Sequence, residues 1–440
     1  LGHSVDILYQ GAEGQLLCRS QPNPLVEIQA SWKPGPSISD DNNSIETAHR
    51  PSSIHTGEEE MIRLIFTGFL LFHFVVGTAC AKIVTSPIPF RPFNSESPWN
   101  HPLGSGALYQ EVDGIDSLTL CMNYDDRWTS ALYSARTTDR IGNLYFTNDT
   151  WELLSQGLPN VGNSPEIENS LRARSSMVPL YPANQYSTVV PGSPDPVWPP
   201  DYHKVTDPYY SRSFYIPEGA CPSPDTDGFI SILQPNGWVL DAYAAIVLSN
   251  GDIVCMMASY VDSRGSGTGW SNGRRASMLP SFAGIIRNGE ISTGGIKHAL
   301  AGLISPTLLK EEAQWPAVAF DMNAGYSGSL PMGALLAIPP EIEVDRLGLT
   351  SKGKVLARAL QEFGIYIVDR CGPGGLIILA DLNAKDIHWK GSARDFQIIK
   401  RHLRWVSNNS EATPGGGGPP PVNKCQAIGN WTGQVHGRTA

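Results

Sequence analysis

Phe229-Ile230-Ser231-Ile232-Leu233-Gln234-Pro235-Asn236-Gly237-Trp238-Val239-Leu240-Asp241-Ala242-Tyr243 is two apolar runs joined by an Asn-Gly turn. Asn-Gly supplies the positive backbone φ of a tight turn that matches strand twist, so the stretch predicts a β-hairpin. Ile246-Val247-Leu248, Ser249-Asn250-Gly251-Asp252 and Ile253-Val254-Cys255-Met256-Met257 repeat the pattern at once. Two successive hairpins predict an antiparallel sheet, since parallel neighbours need long crossovers.

Working outward, residues 117–122 and 143–146 read as further strands, and 194–217 as a proline- and aromatic-rich surface loop, because proline removes backbone donors. Downstream, Val355, Leu356, Ala359, Leu360 and Phe363 recur at helical spacing behind Thr350 as cap, with Gly364 as the stop. Residues 365–369 and 376–381 read as strands around a glycine turn, and 392–406 as a second helix. Gly415-Gly416-Gly417-Gly418 between prolines reads as a linker, which makes 411–440 a linker and unfolded tail. The expected fold is mainly β, an antiparallel β-sandwich or jelly roll with two late helices, over residues 82–410.

Composition agrees. The 440 residues include 44 Gly and 35 Pro, 17% charged and 41% hydrophobic residues, and a net charge of −10. That is turn-rich, too apolar for a disordered chain and without the basic stripe of a nucleic-acid binder. Residues 1–60 hold nine acids and three bases and no sustained period; they read as translated upstream sequence or a disordered leader. Met61-Ile62-Arg63, an apolar stretch over 64–76 and Ala79-Cys80-Ala81 follow the basic, apolar, small order of a secretory signal, so 61–81 is expected to be removed. The apolar run is too short to span a membrane. A secreted, extracellular chain beginning near Lys82 would retain Cys121, Cys221, Cys255, Cys371 and Cys425, enough for at most two disulfides.

The phrases Ser97-Pro98-Trp99-Asn100, Arg275-Ala276-Ser277-Met278-Leu279-Pro280 and Gly295-Ile296-Lys297-His298-Ala299-Leu300 resemble a family of uncharacterised secreted, mainly bacterial proteins. The resemblance covers roughly residues 90–400 and implies export and polymer-rich surroundings, such as cell walls, without naming a reaction. Members often carry an acid where Asp241 stands, and a His just before the first hairpin strand, where this chain reads Asp225-Thr226-Asp227-Gly228.

No nucleophile elbow, His-Glu-x-x-His or phosphate loop is present. The chemistry therefore falls to carboxylates, as in glycosidases, or to a base facing a uronate, as in lyases. Asp241, in an apolar strand, and His298, opening an apolar run, are the expected acid/base pair, with Asp262 as a third candidate. Arg274 and Arg275 would bind an anionic sugar; Trp198, Tyr202 and Trp270 would stack on sugar faces. Asp225-Thr226-Asp227-Gly228 and Asp321-Met322-Asn323-Ala324-Gly325 have the alternate acids that begin a calcium loop but no closing acid, and read as turns; no other cofactor is expected. Asp369, ending a strand at a glycine turn, reads as an Asx turn. Two functions follow: a carbohydrate-active enzyme, hydrolase or lyase, on an extracellular polysaccharide, or a non-catalytic binder of cell-wall glycan.

Overall fold

The computed structural model describes residues 91–123, 128–147, 149–158, 164–175, 213–269, 273–321 and 324–421. It also gives the backbone of two short strands, β1 (Val5–Asp6) and β2 (Arg19–Ser20), which pair antiparallel. The signal-like segment 61–81, Trp198, Tyr202 and Trp270 lie outside the described residues.

β3 (Tyr109–Gln110), β4 (Thr119–Met122), β5 (Ala131–Ser134) and β6 (Arg140–Phe146) precede helices α1 (Asp149–Ser155) and α2 (Pro165–Arg174). β7 (Ser213–Ile216), β8 (Ile230–Leu233), β9 (Trp238–Tyr243), β10 (Ile246–Val247), β11 (Ile253–Cys255) and β12 (Met257–Asp262) follow. β13 (Leu300–Ile304), β14 (Leu309–Ala313), β15 (Leu330–Met332) and β16 (Leu335–Ala337) lead to α3 (Ser351–Glu362). β17 (Ile365–Arg370), β18 (Gly375–Ile378), α4 (Ser392–Arg401) and β19 (Arg404–Val406) complete the order.

The chain is mainly β, as expected, and both hairpins form: β8 pairs β9 and β10 pairs β11, antiparallel. The sheets, however, are mixed and not antiparallel. The largest runs β3-β19-β16-β17-β13-β18-β4, with β13 parallel to β17 and β18 parallel to β4. A second runs β12-β9-β8-β5 and a third β10-β11-β6-β7, each with one parallel pair. The two expected hairpins therefore belong to different sheets. β17 and β18, which read as a hairpin, do not touch: β13 lies between them, parallel to one and antiparallel to the other. Their unbroken apolar runs suit central strands covered on both faces.

That covering gives the layers. Leu300, Ile304, Ile365, Ile367, Leu376 and Ile378 pack on one face with Leu356 and Leu360 of α3 and Phe396 and Ile399 of α4. Ala301, Leu303, Tyr366, Val368 and Ile377 point the other way and share a core with Leu132, Val239 and Val261 of the β12-β9-β8-β5 sheet. Two sheets thus meet face to face, with the late helices outside. α1 and α2, which the sequence reading did not expect, bury Leu154 and Leu171 against Ile246, Leu248 and Val254 of the third sheet and its turn.

Thr350 caps α3 as predicted, its Oγ1 accepting the Gly353 N–H at 3.1 Å. The second predicted helix stops at Arg401; 404–406 become β19, placed between β16 and β3. In β13, Gly302 is squeezed between β17 and β18, where a Cβ would come within 2.5 Å of Ile365 Cδ1. The glycine run expected as a linker is folded: Gly104 N–H donates to Gly415 O at 2.9 Å and Gly106 N–H to Gly417 O at 2.8 Å. Only glycines permit this approach, since a Cβ on Gly104 would meet Gly417 O at 2.0 Å. Among the described residues Cys121, Cys221, Cys255 and Cys371 form no disulfide, and Cys425 lies outside them.

Candidate cleft of aspartates and arginines

The turn entering β8 is built by Asp225. Its Oδ1 accepts the N–H groups of Asp227 and Gly228, both at 2.9 Å, and the Ser223 hydroxyl at 3.3 Å. Its Oδ2 accepts the Trp128 N–H. Burial pushes the Asp225 pKa up and these four bonds pull it back. All of this fixes the backbone that carries Asp227 into a cleft of ≈ 600 Å³.

Three carboxylates and three guanidiniums line that cleft: Asp227, Asp321, Asp369, Arg274, Arg275 and Arg370. Asp369 stands at the end of β17; its Oδ1 accepts the Arg370 N–H at 2.9 Å and its Oδ2 the Ala276 N–H at 3.2 Å. Arg370 Nε donates to Asp321 Oδ2 at 2.7 Å on the rim. Arg275 is 2% exposed, its Cζ 4.0 Å above the Phe229 ring and its Nη1 donating to Trp128 O at 3.0 Å. Arg274 Nε donates to Ser259 Oγ at 2.6 Å. Trp128, Trp151, Tyr243 and Phe320 give the walls aromatic surface.

The acids are tuned differently. Burial, and then the Asp225 and Asp369 charges, push Asp227 up to about 8 against the pull of Arg275 and Arg370. Burial and the Asp321 charge push Asp369 up to about 6, opposed by Arg275 and by its backbone N–H donors. Of the two, Asp227 is the carboxyl pushed further up and so holds its proton more tightly. Tyr243, whose hydroxyl donates to Asp227 Oδ1 at 3.5 Å, is pushed well up by burial and by these acids, as is Tyr326. The backbone is strained here too: Trp128 (φ 59) and Met278 (φ 62), both lining the cleft, and Ala244 (φ 49), next to Tyr243, occupy the left-handed region.

Of the residues expected from sequence, Arg274 and Arg275 reach the cleft. Asp241 does not line it. It is fully buried within β9, where Oδ1 accepts the Ser231 and Ser281 hydroxyls and Oδ2 the Ser281 N–H at 2.9 Å. His298 is buried elsewhere, with Nδ1 2.9 Å from Ala299 O and Nε2 3.2 Å from Glu290. Asp262 pairs with Arg264 at 2.8 Å beyond the cleft lining. Sequence reasoning met Asp227, Asp321 and Asp369 only as turn residues; their signal was three acids at strand ends and turns, which the fold gathers.

The two calcium-like segments meet at this cleft through Asp227 and Asp321, but Asp225 spends its oxygens on N–H and O–H donors. Among the described residues no three His, Cys, Asp or Glu side chains are grouped to hold a metal ion. No described helix is long and apolar enough to cross a membrane. The chain matches no protein-family model, no curated protein and no solved structure.

Proposed function

We propose that the protein is an exported carbohydrate-active enzyme that hydrolyses glycosidic bonds of an extracellular polysaccharide in this cleft. The observation that carries the reading is the pairing of Asp227 and Asp369 in one cavity with proton affinities set apart. Glycoside hydrolysis asks for that division: a protonated carboxyl gives its proton to the departing oxygen, and an ionised one stabilises the cationic sugar or activates water. Asp227 takes the first role and Asp369 the second. The aromatic walls suit the apolar faces of sugars, and the order of residues 61–81 supports export.

Hydrolysis is favoured over elimination by the lining itself. A lyase needs a base to remove a carbon-bound proton. The described lining holds no His or Lys, and Tyr243 resists ionisation because burial and the neighbouring carboxylates raise its pKa.

The test is incubation of the full chain with a panel of soluble polysaccharides, reading reducing ends and absorbance at ~235 nm, where only lyases create an unsaturated product. New reducing ends without that absorbance, lost in Asp227→Asn, are expected. Binding of a glycan with no new ends would replace the enzyme with a non-catalytic glycan binder.

A further inference from the structure

Arg275 has more hydrogen-bonding capacity than the protein uses. Its Nη1 is engaged by the Trp128 carbonyl at 3.0 Å, while Nε and Nη2 have no hydrogen-bond partner among the described residues. Those two nitrogens share one edge of the guanidinium, with their N–H bonds parallel. That edge is the fork that fits two oxygens of a carboxylate or a sulfate. Asp369 and Asp227 act on Arg275 through space without hydrogen-bonding the fork. A buried N–H pair left unsatisfied is costly, and here it belongs to a side chain that lines the cleft and is held flat on Phe229.

We infer that the polysaccharide is acidic, and that the Nε–H and Nη2–H edge of Arg275 grips a carboxylate or sulfate group of the sugar chain. The inference rests on reading the cleft as the glycan site. Arg370 at the rim and Arg274 beside Arg275 extend the positive surface. Both fork atoms are shielded from bulk water, so an anion that parts the cleft wall to reach them meets a desolvated, strong partner. A neutral sugar would leave the fork unmatched.

The experiment is calorimetric titration of the full-length Asp227→Asn protein, which binds without turnover. Its probes are oligogalacturonate for carboxylate, dextran sulfate for sulfate, and a neutral β-glucan oligosaccharide. One acidic probe is expected to bind about tenfold or more tighter than the glucan, and to weaken with added salt. Arg275→Lys, which keeps the charge and loses the fork, is expected to cost about tenfold in that affinity. Because a substitution so deeply buried can unfold the chain, circular dichroism accompanies it. Arg370→Gln on the exposed rim provides a second variant, expected to cost about threefold. Equal or tighter binding of the glucan, or acidic binding unchanged in both variants, would overturn the inference. Cleavage of neutral glucan alone would overturn it while leaving the hydrolase reading intact. Acidic binding without cleavage by the unsubstituted chain would do the reverse.

Discussion

The raised pKa values of Asp227 and Asp369 give the proposed reaction a pH dependence of defined direction. In the proposed hydrolysis Asp369 acts ionised and Asp227 protonated, so kcat/KM should be bell-shaped, rising near pH 6 and falling near pH 8. The limbs belong to the pair as a unit. Asp227→Asn should lower kcat by about 10²–10⁴-fold and remove the alkaline limb from what remains. Stability moves oppositely. A carboxyl whose pKa is raised on folding binds more protons folded than unfolded, so its contribution is intact in acid and declines as pH rises from about 4 to about 8. The melting temperature of Asp227→Asn relative to the unsubstituted protein should therefore climb across that window and level off above it; a constant difference would contradict the raised pKa. Asp241 teaches the converse lesson. Its place in an apolar strand marked it as unusual from sequence alone, but its main partner, Ser281, is forty residues away and could not be read from the strand. Asp241→Ala leaves two hydroxyls and an N–H without their acceptor and should cost about 2–4 kcal/mol in urea unfolding. The pH limbs of any remaining activity should stay where they were.

At the scale of elements, local signals were legible and neighbours were not. The Asn236-Gly237 turn and the Thr350 cap are decided by residues adjacent in sequence, and both appear as read. The strand pattern at 365–369 and 376–381 was equally clear, yet alternation and apolarity say only that a strand exists. They do not say that β13, from far earlier in the chain, will insert itself between the two. Gly302 is what makes the insertion possible. Gly302→Val should destabilise the fold by about 1–3 kcal/mol, because the added carbons must displace Ile365 and crowd the Ile377 carbonyl, 3.2 Å from where the Cβ would sit. Thr350→Ala should cost about 1 kcal/mol through the lost cap, and somewhat more because Asp395 also loses the Thr350 hydroxyl. Chemical denaturation of the two variants ranks a core clash against a helix end.

For the whole molecule, the composition signalled a turn-rich chain and the two hairpin patterns a mainly β one, while the glycine run near the end misled. Four glycines between prolines have the chemistry of a flexible connector, and only the backbone of 104–107 lying against them makes them structural. A chain ending at residue 410 should therefore melt lower than one ending at 421, although it loses no strand or helix of the main sheets. The same region carries a consequence for biosynthesis. Among the described strands β3, at the sheet edge, pairs with β19 alone, and the Leu108 N–H reaches Asn408 across 300 residues of chain. A polypeptide emerging from the ribosome therefore has β3 waiting for its pairing partner until residues 404–408 have been translated.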